Sequence, residues 1–176
     1  MGERVVILVG HGGIPRDFPR DDLMESKRLE GARRARGEAT PSAREAELDR
    51  RLREWPRTAE SDPYGAGLER IADALRARLG DTPVLSAYNE FCAPSVEQAL
   101  LAAIDAGAAE IVVVPTMVTP GGSHSEIEIP EVIAAVRAAR PGADIRYAWP
   151  FAPGRVAELL ADQVLAFGSE ARGEHS

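Results

Sequence analysis

Apolar residues follow two rhythms along this chain. Short β-branched or apolar segments recur four times, at 4–9 (RVVILV), 84–88 (VLSAY), 110–115 (EIVVVP) and 144–148 (DIRYA). Such runs suit the strands of a parallel sheet, which are buried on both faces. Between them the spacing lengthens to that of a helix. Leu68, Ile71, Ala72, Leu75 and Leu79 form an i, i+3, i+4 stripe, opened by Asp62-Pro63 and closed by Gly80. Val96, Ala99, Leu100, Ala103 and Ile104 form a second, opened by a Ser95/Gln98 capping box and ended by Gly107. Pro130 opens a helix running to about Arg140, and a last one spans about Pro153 to Phe167. Strand and helix alternate throughout, which predicts an α/β fold: one domain over residues 1–168, with a four-stranded parallel sheet flanked by helices on both faces.

Residues 16–63 break the alternation. Pro19 can open a helix over 20–36, and Gly37 ends it. Thr40-Pro41 offers a second start, Leu48, Leu52 and Trp55 line one face, and Pro56 closes it. The segment reads as an Arg-rich helical hairpin inserted after the first strand, either a mobile lid or a decoration. The tail, 169–176, reads as disordered, with no role for His175.

Composition narrows the class. A hydrophobic content of 44% fits a globular protein. No stretch approaches the roughly 20 apolar residues of a membrane span. The amino terminus carries no leader pattern, and the single cysteine, Cys92, fits a reducing compartment, so a cytoplasmic protein is expected. Cys92 reads as a small buried side chain, not a nucleophile. The net charge of −7 argues against a nucleic-acid partner. Residues 16–63 carry 12 of the 21 Lys and Arg and 12 of the 28 Asp and Glu, so they are neutral and the rest of the chain holds the whole net charge. The cation-rich insertion suits an anionic ligand or, equally, a solvated helical face.

The candidate chemistry sits where strands end. His11 follows the first strand within Gly10-His11-Gly12-Gly13. Asn89-Glu90 follows the second. The third runs into PTMVTPGGSHSEIEIP, with His124, Glu126 and Glu128, and Trp149 and Phe151 follow the fourth. In a parallel sheet these endings share one edge, the carboxyl edge where open α/β sheets bind ligands. His124 and Glu128 converge on a helix, one turn apart, and on an extended chain, two pleats apart. An imidazole beside a carboxylate can bind a divalent metal or relay protons. The alternatives thin out by motif. The chain has no GxxxxGK[ST], no third glycine of a dinucleotide fingerprint, no GxSxG, no CxxC and no HExxH.

Three stretches together resemble the class II tetrapyrrole chelatases, in particular the short CbiX/SirB-type sirohydrochlorin chelatases: ILVGHGG at 7–13, AYNEFCAPSVEQAL at 87–100 and EIVVVPTMVTPGGSHSEIEIP at 110–130. The resemblance covers residues 1–13 and about 64–168. It implies insertion of a divalent metal, Co2+ or Fe2+, into sirohydrochlorin or a related tetrapyrrole. It implies catalytic roles for His11, His124 and Glu90. His11, His124 and Glu128 are the expected metal ligands, and Gly12, Gly13, Gly121, Gly122, Ser123 and Trp149 the expected substrate contacts. No tightly bound cofactor is implied; the metal, whether Co2+, Fe2+ or Ni2+, is a substrate, since imidazole suits all three. Arg16, Arg20, Arg33 or Arg34 would hold the macrocycle's carboxylates. Trp149 and Phe151 would give an apolar wall. A lobe of this size covers one side of a macrocycle, so a homodimer is expected. The pattern is broken by Gly13-Ile14-Pro15 after the first turn and by the 48-residue insertion. Two other readings compete: a tetrapyrrole or metal carrier without turnover, and a hydrolase or isomerase using the two histidines as acid and base.

Overall fold

The parallel sheet is built from strands β1 (Arg4–Gly10), β2 (Val84–Tyr88), β3 (Glu110–Pro115) and β4 (Ile145–Tyr147), in the order β2-β1-β3-β4. The computed structural model of the chain describes residues 3–173, with side chains to Phe167. All three strand pairs are parallel, with Ile7 beside Leu85 and Val113, and Ile111 beside Ile145. The six helices are α1 (Arg20–Ala35), α2 (Ala43–Arg53), α3 (Pro63–Leu79), α4 (Val96–Asp105), α5 (Ile129–Ala139) and α6 (Pro153–Gly173).

The pleat divides the core in two. Ile7, Val9, Ile111 and Val113 pack with Leu100 of α4 and Ile133 of α5, all at most 2% exposed. Val6 and Leu8 turn the other way, to Leu68 and Ala72 of α3. Helix starts follow the sequence where a cap is present. Asp62 Oδ1 accepts from the Gly65 amide (2.9 Å), and Ser95 with Gln98 closes the predicted capping box.

Four boundaries differ from the sequence reading. Helix α2 starts at Ala43, because Ser42 forms a capping box with Glu45 and outcompetes Thr40 as the cap. Trp55 lies past the end of α2, edge-on to Phe18 (5.1 Å) and beneath Arg51. A single π-helical turn, His124–Glu128, precedes α5, so the helical of the two conformations left open for this stretch is the one adopted, and helix begins before the expected Pro130. Helix α6 runs beyond Phe167 to Gly173, so part of the expected tail is helical; residues 174–176, His175 among them, lie outside the described residues.

The insertion is a helical hairpin, as predicted. It is fastened to the body rather than hung from it. Phe18, Leu48 and Leu52 are buried, and the half-buried Arg33 pairs with the buried Glu45 at 2.8 Å. The Arg57 guanidinium donates to the carbonyls of Gly13 (2.8 Å), Phe91 (2.6 Å) and Leu52 (3.2 Å) and to Asp62 (2.7 Å). One side chain thus ties the insertion to the loops after β1 and β2.

Candidate active site

The site begins as a continuation of the sheet. Beyond the last strand residues the Asn89 amide donates to the Gly10 carbonyl (2.9 Å), and Glu90 to His11 (2.8 Å). The chain after β2 therefore runs alongside the chain after β1 and sets Glu90 beside His11. Gly12 makes this approach possible. Its φ is +102°, and a Cβ there would lie 1.9 Å from the Glu90 carbonyl oxygen. A side chain is excluded both by conformation and by space.

The ring of His11 is held by a backbone carbonyl, and its main chain by a tyrosine hydroxyl and the Glu90 amide. Its amide donates to the Tyr64 hydroxyl (2.7 Å), and its Nδ1 lies 2.9 Å from the Gly12 carbonyl. A carbonyl only accepts, so Nδ1 carries the proton and Nε2 is bare. That Nε2 lies 3.6 Å from Glu90 Oε2.

His124 is fixed by side chains. Its π turn is anchored by Ser125, 1% exposed, whose hydroxyl donates to the Met117 carbonyl (3.0 Å) and whose carbonyl accepts from the Tyr147 hydroxyl (2.8 Å). His124 Nδ1 lies 2.9 Å from Glu128 Oε2, and Asn89 Nδ2 lies 2.7 Å from the same oxygen and 2.9 Å from Nδ1. Both nitrogens converge on the carboxylate. A bare Nδ1 would set two lone pairs against each other at 2.9 Å, so Nδ1 carries the proton and Nε2 is again the bare nitrogen. Burial alone would raise the Glu128 carboxyl; the hydrogen bonds from Asn89 and His124 outweigh it and hold it below its ordinary value.

The rings of His11 and His124 meet edge to face, 4.8 Å between centres. One ligand atom from each of His11, Glu90 and His124 lies within 4.8 Å of the other two, a group of ligand types that could hold a divalent cation. Glu128, expected among the ligands, stands behind His124 on Nδ1 and outside this group. Cys92 is no fourth ligand: it is buried against Gly13, and burial pushes its thiol up.

The other expected residues scatter. Gly12 is buried, and Gly13 is half-buried with its carbonyl held by Arg57. Gly121, Gly122 and Ser123 are exposed at the mouth, and the Gly121 amide donates to Glu126 (2.7 Å). Trp149 stacks edge-on against Phe151 (5.8 Å), and no ring contact joins it to either histidine among the described residues. A groove of about 510 Å³ lies between the insertion helices and Glu90 and Phe91; its walls carry Lys27, Arg34 and Arg53 and also Glu30 and Asp49, with Arg34 paired to Glu30 (2.5 Å) and Arg53 to Asp49 (2.8 Å). Arg33 also lines it but is locked to Glu45 and to the Glu38 carbonyl, while Arg16 and Arg20 are exposed elsewhere. Sequence reading missed Asn89 as a partner of His124 and Arg57 as a fastener. Asn89 was adjacent to the chosen Glu90; Arg57 had no signal among 12 cations in one segment.

A family model described as CbiX matches residues 60–166. The chain belongs to the CbiX family. The match spans Glu90, His124 and Glu128; His11 precedes it and reaches the site through the fold. No curated protein matches in sequence. Among solved structures, a cobalamin (vitamin B12) biosynthesis CbiX protein from Marinobacter aquaeolei shares 20% identity and a TM-score of 0.56, with 95% of this chain and 98% of that one covered. At that identity it speaks for the fold. The sirohydrochlorin chelatase SirB from Bacillus subtilis subspecies spizizenii, in complex with cobalt, shares 18% identity at a TM-score of 0.42 over 84% of this chain and 43% of its own. SirB from Bacillus subtilis with Fe3+ shares 18% at 0.49, over 84% and 40%. The chain thus spans less than half the length of either SirB.

Proposed function

We propose that this CbiX-family chain inserts a divalent metal, Co2+ or Fe2+, into sirohydrochlorin or a closely related tetrapyrrole. The observation that carries the reading is the convergence of His11, Glu90 and His124 at the carboxyl edge of the sheet, with ligand atoms within 4.8 Å of one another.

Two ligands on one ion with bonds of about 2.1 Å can stand no more than about 4.2 Å apart. The group must therefore contract slightly to hold a metal, and it offers three ligands with no thiolate. Both features favour a cation that is held briefly and handed on. Insertion also displaces two protons from pyrrole nitrogens. An Nε2 cannot hold a metal and a proton together, so the imidazole serves first as ligand and, once the metal passes to the macrocycle, as base. His124 is the better proton acceptor, because Glu128 stands charged behind it. Glu90 is placed to take the second proton.

The macrocycle's carboxylates would meet Lys27 along the groove under the insertion, and Arg34 and Arg53 by displacing their partners Glu30 and Asp49, with Phe91 against the ring. The test is anaerobic absorbance of sirohydrochlorin with Co2+ or Fe2+, with and without protein. Insertion accelerated by the wild type, and reduced at least about 100-fold in His124→Ala and in His11→Ala, supports the reading. A spectral shift without acceleration would make the protein a carrier. Turnover of another substrate that survives chelators would make it an acid–base enzyme.

A further inference from the structure

The turn that carries Glu90 is strained. The Cys92 amide donates to the Glu90 carbonyl two residues back (2.7 Å), and Phe91 between them has a φ of +60°. This is the left-handed form of the three-residue γ turn, which a residue with a bulky side chain rarely adopts. Among the described residues, Phe91 is the one residue other than glycine with a positive φ. Such a conformation persists only where its surroundings impose it.

The surroundings here come from the insertion. Arg57 Nη2 donates to the Phe91 carbonyl (2.6 Å), while Nη1 donates to the Gly13 carbonyl (2.8 Å) and to the buried Asp62 (2.7 Å). The guanidinium therefore bridges the loops after β1 and β2, one residue beyond Gly12 on one side and one beyond Glu90 on the other. Its Nε is buried with no hydrogen-bond partner. Burying that N–H unmet is costly, and the bonds of the fork offset it. On the far side of the turn, Glu90 Oε2 lies 3.6 Å from His11 Nε2, and the Phe91 ring stands tilted against the His11 ring, 5.9 Å between centres.

We propose that Arg57 is a positioning residue: it holds Phe91 in the left-handed turn, and through that turn it sets Glu90 and the Phe91 ring beside His11. The consequence for the metal rests on the function proposed above; the hold on the turn does not. Lysine cannot do the same, because one ammonium lacks the planar fork that reaches Gly13 and Phe91 together.

The test is made on the full chain. Arg57→Ala would strand the buried Asp62 and unfold the protein for an unrelated reason, so Arg57→Lys, which keeps a charge there, is combined with Phe91→Gly and Phe91→Ala. Both changes at 91 remove the ring, but only glycine adopts the turn without strain. With Arg57 intact, Phe91→Gly should have the higher urea midpoint of the two. In the Arg57→Lys background that advantage should vanish or reverse, because residue 91, once released, returns to an ordinary φ. Titration with Co2+ alone gives the second readout. Arg57→Lys should weaken binding about 10-fold or more, and adding Phe91→Gly, but not Phe91→Ala, should recover part of the loss. A glycine advantage unaltered by Arg57→Lys would overturn the proposal, because the turn would stand without the arginine. Recovery by alanine as well, or by neither, would also overturn it, because the site would not depend on the backbone of the turn. A wild type that binds no Co2+ would instead sink the proposed function, and the midpoints would still decide the hold on the turn.

Discussion

His11 and His124 stand edge to face beside Glu90, but opposite devices hold them. His11 is gripped by main chain: the Gly12 carbonyl on Nδ1, and the Glu90 amide on its own carbonyl. His124 is gripped by side chains: Glu128 on Nδ1 and Asn89 on that carboxylate. The first arrangement is rigid and supplies no charge. The second supplies a carboxylate that stabilises an imidazolium. Under the proposed function this difference would divide the labour, with His11 as the fixed ligand and His124 as the ligand that also takes a proton. It can be tested by loosening each grip in turn.

The largest effect is expected on the His11 side. Gly12→Ala combines a left-handed φ with a Cβ 1.9 Å from the Glu90 carbonyl oxygen, and backbone must move to admit it. A loss of about 3 kcal/mol or more is expected. The urea midpoint should fall, and Co2+ binding measured by titration should be lost. A well-folded Gly12→Ala that binds Co2+ normally would show that the β1 and β2 extensions need not run side by side.

On the His124 side the fold should survive and the chemistry should not. Asn89→Ala and Glu128→Ala each remove one prop of a partly exposed imidazole, and a 10–100-fold drop in metal affinity or insertion rate is expected. Glu128→Gln is the sharper variant. It keeps an acceptor for Nδ1 but loses the charge, so metal binding should be largely retained while the insertion rate falls. Equal losses in both would mean that Glu128 only orients the ring.

The convergence of these residues was legible in sequence because it follows from topology. Four strands in parallel must end on one edge, and His11, Glu90 and His124 each follow a strand within a few residues or one loop. Ser95–Gln98 and Asp62-Pro63 were legible because a cap is a local rule. What could not be read depends on distance in the chain. Arg57 meets Gly13 and Phe91 across 44 and 34 positions, and one cation among the 12 of residues 16–63 carries no mark of it. Glu128 read as a ligand because its spacing from His124 is right for contact; the contact is made to Nδ1, and the ligand atoms of His11, Glu90 and His124 gather without it.

A smaller effect separates the two grips by pH. The Glu128 carboxyl is held below its ordinary 4.5. A group whose folded pKa is depressed stabilises the fold above the unfolded pKa and ceases to do so as pH falls through the folded value. The contribution should be complete above about pH 4.5 and vanish in more acid solution, and it is modest because the side chain is 41% exposed. Urea midpoints of wild type and Glu128→Gln should therefore differ slightly at pH 7 and converge toward pH 3. A gap that widens on acidification would mean that the carboxylate is strained, not stabilised, beside His124.

The smallest effect returns to glycine, now in the loop before His124. A Cβ on Gly122 would come no closer than 3.6 Å to any other residue's atoms, and its φ is not in the left-handed region. Gly122→Ala should change stability by no more than about 0.5 kcal/mol. The same substitution that dismantles the His11 side is thus expected to leave the fold around His124 intact. Any change should then appear in KM for the tetrapyrrole and not in the urea midpoint, because Gly122 lies at the exposed mouth. A midpoint shift comparable to that of Gly12→Ala would mean that the loop before His124 is held as tightly by its backbone as the turn at His11, and the contrast between the two histidines would collapse.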